Sequence, residues 1–139
     1  MNIIETLQQR DIKPSYLRLK ILEYMLARKN HPTVDMVYEE LSKEIPTLSR
    51  TTVYNTFNLF LQKGLVQKLG IDDVEAHYDA DISLHGHFRC DHCGKIWDLP
   101  VKTDVSQIEG LKKFEVRTIE YYAKGLCDQC QKCQRHSNK

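Results

Sequence analysis

Two cysteine pairs, Cys90-x-x-Cys93 and Cys127-x-x-Cys130, constrain this chain more than any other feature, because each turn offers two thiolates at the same bite. Zinc takes four such ligands tetrahedrally, and a full thiolate set leaves it no open position. The spacing therefore predicts a structural Zn2+ ion held by all four cysteines, stapling residues 90–93 to 127–130. The cysteines number five, an odd count that does not suit a disulfide framework. Cys133 is the surplus thiol, expected to sit idle in a mobile tail, with an exchange for Cys130 as the alternative. His92, between two ligands, is expected to face solvent, and His136 to belong to a disordered end.

Charge excludes the simplest route to a polyanionic partner. There are 20 basic and 19 acidic side chains, so no overall field draws the chain to nucleic acid or to an anionic membrane. Any DNA contact must use a local patch. The N-terminal stretch MNIIETLQQR is too short and too polar for a signal peptide. No apolar run approaches the roughly 20 residues that span a bilayer, so no membrane partner is expected. The expected compartment is the cytoplasm, where reduced and closely spaced cysteines more often bind metal than pair with each other.

From Met1 to about Leu65 the apolar residues recur at helical spacing. Four helices are predicted. The first covers about residues 2–10. The second follows a Ser15 cap, with Leu17, Ile21, Leu22 and Met25 as its stripe. A Thr33 cap opens the third, whose Val34, Val37 and Leu41 face inward. The fourth runs from Ser49 to Lys63, with Gly64 as its stop and Val53, Phe57 and Phe60 buried. Its first turn then presents Ser49, Arg50, Thr51, Thr52, Tyr54 and Asn55, side chains able to bond phosphates and base edges in a major groove. The following VQKLGIDDVEAHYDAD reads as two strands, a plausible wing. An ordinary helical subdomain with a solvated polar face explains the same pattern, and residues 1–80 carry ten basic against eleven acidic side chains.

After Asp81 the pattern changes to short strand-like runs, HFRC, KIWDL and FEVRTIEYYA, with a helix expected over about 104–112. Strands with one crossing helix suggest a small α+β domain, and its exposed sheet edge suits a homodimer. A second donor set remains: His31, Asp79, His85, His87 and Asp98. His85 and His87 alternate onto one strand face, Asp79 lies just before them and Asp98 follows on the next strand. Imidazoles and carboxylates without thiolate suit Fe2+ or Mn2+, although Zn2+ would also bind. Spacing alone favours His85 and His87 and leaves His31 open.

Taken together, HPT at His31–Thr33, TTVYNTFNLF in the fourth helix, GLV after it, HGHFRCDHCG from His85, and Cys127 and Cys130 after YYAKGL resemble the ferric uptake regulator family of bacterial metal-dependent repressors. The resemblance spans nearly the whole chain. It implies an N-terminal winged-helix DNA-binding domain over residues 1–80, ending in a hinge, and a small α/β dimerisation and metal-binding domain over 81–139. Within the family the chain is most similar to the peroxide-sensing branch, whose regulatory site of three histidines and two aspartates matches His31, Asp79, His85, His87 and Asp98. Iron-sensing members tend to carry glutamate where Asp79 and Asp98 stand, and arginine where Asn55 stands. The family's zinc site carries over to Cys90, Cys93, Cys127 and Cys130. One departure is Ser15-Tyr16-Leu17-Arg18, which stands where the family usually has TPQR and puts local contacts of that turn in doubt. A further family metal site needs a histidine between the two CxxC pairs, and this sequence has none there.

The resemblance implies a cytoplasmic homodimeric repressor of double-stranded operator DNA, with structural Zn2+ and regulatory Fe2+ or Mn2+. Peroxide would be sensed by metal-catalysed oxidation of His31 or His85. The alternative keeps the fold and changes the signal, to an iron- or manganese-responsive uptake regulator without peroxide chemistry. A zinc hydrolase or deaminase would need an open zinc and an H-x-E glutamate, which His85-Gly86-His87 does not supply. No enzyme is expected. A zinc-stapled dimerisation module without DNA binding is the remaining rival.

Overall fold

The computed structural model describes residues 2–83, 85–101, 108–117 and 119–137, with side chains through Gln134 in the last stretch. The chain divides into two compact units, Met1–Ile82 and Ser83–Lys139. No described helix is long and apolar enough to cross a membrane.

The first unit is built from α1 (Ile3–Gln9), α2 (Tyr16–Arg28), α3 (Val34–Leu41), α4 (Arg50–Gln62) and a two-stranded antiparallel sheet, β1 (Gln67–Leu69) and β2 (His77–Asp79). Each helix starts where a short polar side chain can satisfy an otherwise unpaired backbone N–H. Asn2, Ser15, Thr33 and Ser49 accept from Ile4, Arg18, Met36 and Thr52 respectively. The apolar stripes meet in one core: Leu7, Ile21, Leu22, Met25, Val37, Leu41, Val53, Phe57 and Phe60 are all buried. Gly64 ends α4 at φ +71°, a left-handed conformation that favours glycine. Tyr78 of β2 stacks on Phe57 at 4.3 Å between ring centroids, which packs the strand pair against α4.

The second unit holds a three-stranded sheet in the order β4-β3-β5, from β3 (Gly86–Cys90), β4 (Ile96–Leu99) and β5 (Tyr121–Gly125), followed by α5 (Asp128–Ser137). β3 pairs antiparallel with β4 and parallel with β5. A parallel pair needs a long crossover, which the chain between β4 and β5 provides. Gly86 leaves little room for a side chain: an added Cβ would lie 2.6 Å from Cγ2 of Val101 and 3.4 Å from Cβ of Tyr121.

Three expectations change here. The helix expected over 104–112 falls partly on residues 104–107, outside the described residues, and 108–112 form bends and turns. Among the described residues the strand expected from Phe114 forms only from Tyr121 onward; Phe114 is 68% exposed, so its apolar side chain does little to fix an extended register. The tail expected to be mobile instead forms α5, which starts directly after Cys127 and carries Cys133 on its second turn. A strongly polar stretch gives no periodic apolar signal, and this helix is anchored by the cysteines at its start.

Candidate metal centres

The first centre follows from the turns on either side of β3. The Cys90 amide donates to the Lys95 carbonyl at 3.0 Å and the Gly94 amide to the Cys90 carbonyl at 2.9 Å, with Gly94 at φ +77°. This tight turn returns Cys93 beside Cys90. The Asp91 amide donates to Gly125 at 2.7 Å, fastening the same turn to the end of β5, from which Leu126 and Cys127 lead into α5. Cys90, Cys93, Cys127 and Cys130 thereby place their sulfurs within 4.8 Å of one another. The Cys93 and Cys127 sulfurs are 4.0 Å apart. Tetrahedral zinc at a Zn–S distance of about 2.3 Å separates its sulfurs by about 3.8 Å, so the set fits the ion.

The electrostatics of the cluster suit thiolate. The backbone amides of Cys93 and Cys127 each donate to the Cys90 sulfur at 3.5 Å, and together they lower its thiol to about 6. Burial and the neighbouring thiols push Cys130 the opposite way. A divalent cation offsets that opposition by stabilising every thiolate at once. Cys90, Cys127 and Cys130 are buried, while Cys93 is exposed. Phe88, Trp97 and Leu126 pack around the buried sulfurs. Cys133 is exposed and outside the set, and His92 is exposed as expected.

The second donor set is divided between the units. In the first, His31 and Asp79 are both buried, with Nε2 of His31 3.6 Å from Oδ2 of Asp79. His31 has φ +52°, a left-handed backbone rare outside glycine. In the second, the antiparallel register sets His87 opposite Asp98, and Nε2 of His87 lies 3.2 Å from Oδ1 of Asp98. His85 reaches the same oxygen with its Nε2 at 3.1 Å, and the two rings lie 4.3 Å apart. Nδ1–H of His85 donates to the Ser83 carbonyl at 2.8 Å. A carbonyl can only accept, so Nδ1 carries a proton and Nε2 is the nitrogen turned toward Asp98. Protonated, Nε2 donates to Asp98; in the neutral ring its lone pair and the carboxylate form a pair of donors for a shared cation.

The six side chains expected to face DNA are all exposed on α4 or at its cap, opposite the buried Val53, Phe57 and Phe60. Ser49 and Thr52 are partly committed to the cap, where their hydroxyl oxygens are 2.8 Å apart. Tyr54 is 49% exposed. Arg50 is engaged within the unit: Nε donates to Asp35 at 2.9 Å, a terminal nitrogen donates to Glu39 at 3.2 Å, and the guanidinium lies 4.3 Å from the Tyr38 ring centroid. Asp35 and Glu39, four residues apart on one face of α3, were the signal for this brace. Sequence reasoning also passed over His77 and Asp72, whose side chains meet at 3.1 Å. The alternation of His77 with Asp79 on one face of β2 could have pointed to them.

Residues 9–124 match the ferric uptake regulator family. Among curated proteins, the peroxide operon regulator of Bacillus subtilis is 34% identical over 136 residues, covering 96% of this chain and 94% of that protein. Among solved structures, PerR of Streptococcus pyogenes, described in terms of peroxide sensing and gene regulation, is 31% identical with a TM-score of 0.53, covering 94% of this chain and 91% of its own. The Helicobacter pylori ferric uptake regulator superposes with a TM-score of 0.72 at 20% identity, covering 93% and 91%, and shares the fold.

Proposed function

The chain belongs to the ferric uptake regulator family, and from that premise we propose that it is a metal-dependent transcriptional repressor that binds operator DNA as a homodimer and responds to peroxide. The family is one of regulators rather than enzymes. In this reading residues 1–80 are the winged-helix DNA-binding domain and 81–139 the dimerisation domain. Cys90, Cys93, Cys127 and Cys130 hold structural Zn2+. His31, Asp79, His85, His87 and Asp98 are the ligands of a regulatory Fe2+ or Mn2+.

One observation carries the regulatory part: His85 and His87 both turn Nε2 toward a single carboxylate oxygen of Asp98, and the Ser83 carbonyl holds the His85 ring in that orientation through Nδ1–H. Nitrogen and oxygen donors without sulfur suit a harder divalent ion than the cysteine set does. When bound, Fe2+ supplies the electrons that break the O–O bond of peroxide. In this reading the imidazoles of His31 and His85 are the side chains that take up oxygen, and an oxidised ring loses its donor strength. DNA affinity then falls by as much as the ion had favoured the binding-competent arrangement.

The test compares two loadings of the zinc-containing protein. With Fe2+, added peroxide is expected to place one oxygen on His31 or His85, read by peptide mass, and to release operator DNA. With Mn2+, the same peroxide leaves mass and binding unchanged. An Fe2+-loaded protein that stays on DNA with both histidines unmodified overturns the sensing claim and leaves an iron- or manganese-responsive regulator.

For DNA contact, Thr51, Tyr54 and Asn55 are the base-facing candidates, with Ser49 and Thr52 at the cap, and Arg50 supports them from its brace on α3. Each phosphate contact adds about one to the slope of log affinity against log salt. Arg50→Ala is therefore expected to leave that slope unchanged, measured by anisotropy across a salt series. A slope lower by about one would show that Arg50 leaves Asp35 and Glu39 for a phosphate.

A further inference from the structure

We infer that His77 is a positioning residue for the regulatory ligand His31 and links it to the wing; the inference rests on the reading of His31 as a metal ligand. β2 supplies His77, Tyr78 and Asp79 in succession, all buried. Strand alternation puts His77 and Asp79 on one face. Asp79 faces the His31 ring, and His77 grips the His31 backbone: Nδ1–H donates to the His31 carbonyl at 2.7 Å. The Tyr78 amide donates to the next carbonyl, that of Pro32, at 2.9 Å. Two successive carbonyls of the ligand segment are thus pinned to one strand.

The pinning answers a conformational need. His31 is a non-glycine residue at φ +52°, and it precedes a proline, whose ring further restricts the residue before it. Such a backbone persists only where surrounding bonds hold it. Without the His77 bond the segment can relax, and the imidazole moves away from the position in which it meets Asp79.

The other ring nitrogen extends the connection. Nε2 of His77 lies 3.1 Å from Oδ2 of Asp72, and Oδ1 of Asp72 accepts from the Val74 amide at 2.9 Å. Asp72 and Val74 belong to the loop between β1 and β2, the tip of the wing, where Val74 is 88% exposed. Wing tip, Asp72, His77 and the His31 carbonyl form one continuous chain of bonds within the first unit. Coupling is reciprocal, so whatever orders the wing also orders the ligand. DNA held at the wing is expected to tighten the regulatory metal.

The test titrates the full-length, zinc-containing protein with Mn2+ alone, following free Mn2+ by electron paramagnetic resonance. His77→Ala is expected to weaken binding roughly 10–100-fold, the usual effect of removing a partner that orients a ligand. His77→Gln, whose amide can donate to the same carbonyl, should recover most of that loss. Asp72→Ala should weaken binding by a smaller factor, and zinc should stay at one per chain throughout. A residue that only supports the fold would lower the melting temperature and leave the Mn2+ affinity of the folded protein untouched. If His77→Ala does not fold, His77→Gln and Asp72→Ala carry the measurement, and wild-type affinity in the folded His77→Ala or, failing that, in Asp72→Ala overturns the inference. His31→Ala separates the two readings: wild-type affinity there removes His31 from the ligand set, whereas loss there with no effect at His77 and Asp72 removes only the positioning role.

Discussion

Cys90→Ser is expected to yield a chain that retains no zinc and whose second unit has lost its tertiary structure, while the helices of the first unit remain. The reason lies in what the second unit has for a core. Among the described residues its cysteine cluster is Cys90, Cys127 and Cys130 with Phe88, Trp97 and Leu126 packed around them, a small apolar cluster for a domain of this size. Structural zinc in small domains contributes an apparent 10–16 kcal/mol or so at neutral pH, far more than such a cluster. Cys90 is the most telling position, because its sulfur accepts from both the Cys93 and the Cys127 amides and so organises both turns. Metal analysis, calorimetry and circular dichroism check the three parts of the expectation: no zinc, one lost transition and retained helices. Cys133→Ser serves as the control, with one zinc and both transitions retained. Full zinc content in Cys90→Ser would remove the four-cysteine assignment.

The second large effect belongs to His87→Ala. Its side chain is 3% exposed, it lies opposite Asp98 in the strand register, and its Nε2 shares an Asp98 oxygen with His85. Changes to groups that only orient ligands cost roughly 10–100-fold in metal affinity, and deleting a ligand is expected to exceed the upper end of that range. A tenfold loss corresponds to about 1.4 kcal/mol, so two or three such factors consume most of the free energy available to shift a two-state equilibrium. Mn2+-dependent operator binding should therefore vanish at metal concentrations that saturate the wild type. Zinc should be unchanged, since no cysteine is touched. Unaltered Mn2+ affinity in a folded His87→Ala would exclude His87 from the regulatory set.

Much of this arrangement is legible in the sequence because it is local. Ser15, Thr33 and Ser49 each precede an apolar stripe, and each caps the helix that follows. The alternation of His85 and His87, and the paired bites of the cysteines, are likewise short-range patterns tied to backbone periodicity. What escaped depends on contacts between distant segments. His77 meets the His31 carbonyl 46 positions away, and Arg50 meets acidic residues on another helix 15 and 11 positions back. Neither partner changes the periodicity of its own element. α5 escaped for a different reason: its residues are so polar that its helical state comes from its anchorage at Cys127 and Cys130 rather than from an apolar face. The segment from Phe114 to Arg117 fails in the opposite sense, having the composition of a strand but no strand partner among the described residues.

Three of the four cysteines are buried and the fourth, Cys93, is exposed. An oxidant arriving from solvent meets that residue first, whatever its reactivity toward the others, and the early steps of thiol oxidation are reversible while the later ones are not. The staple thus has a fixed direction of wear. Damage begins at one identifiable residue, and the age of a protein population under chronic oxidative exposure can be read from the fraction of Cys93 that has been modified.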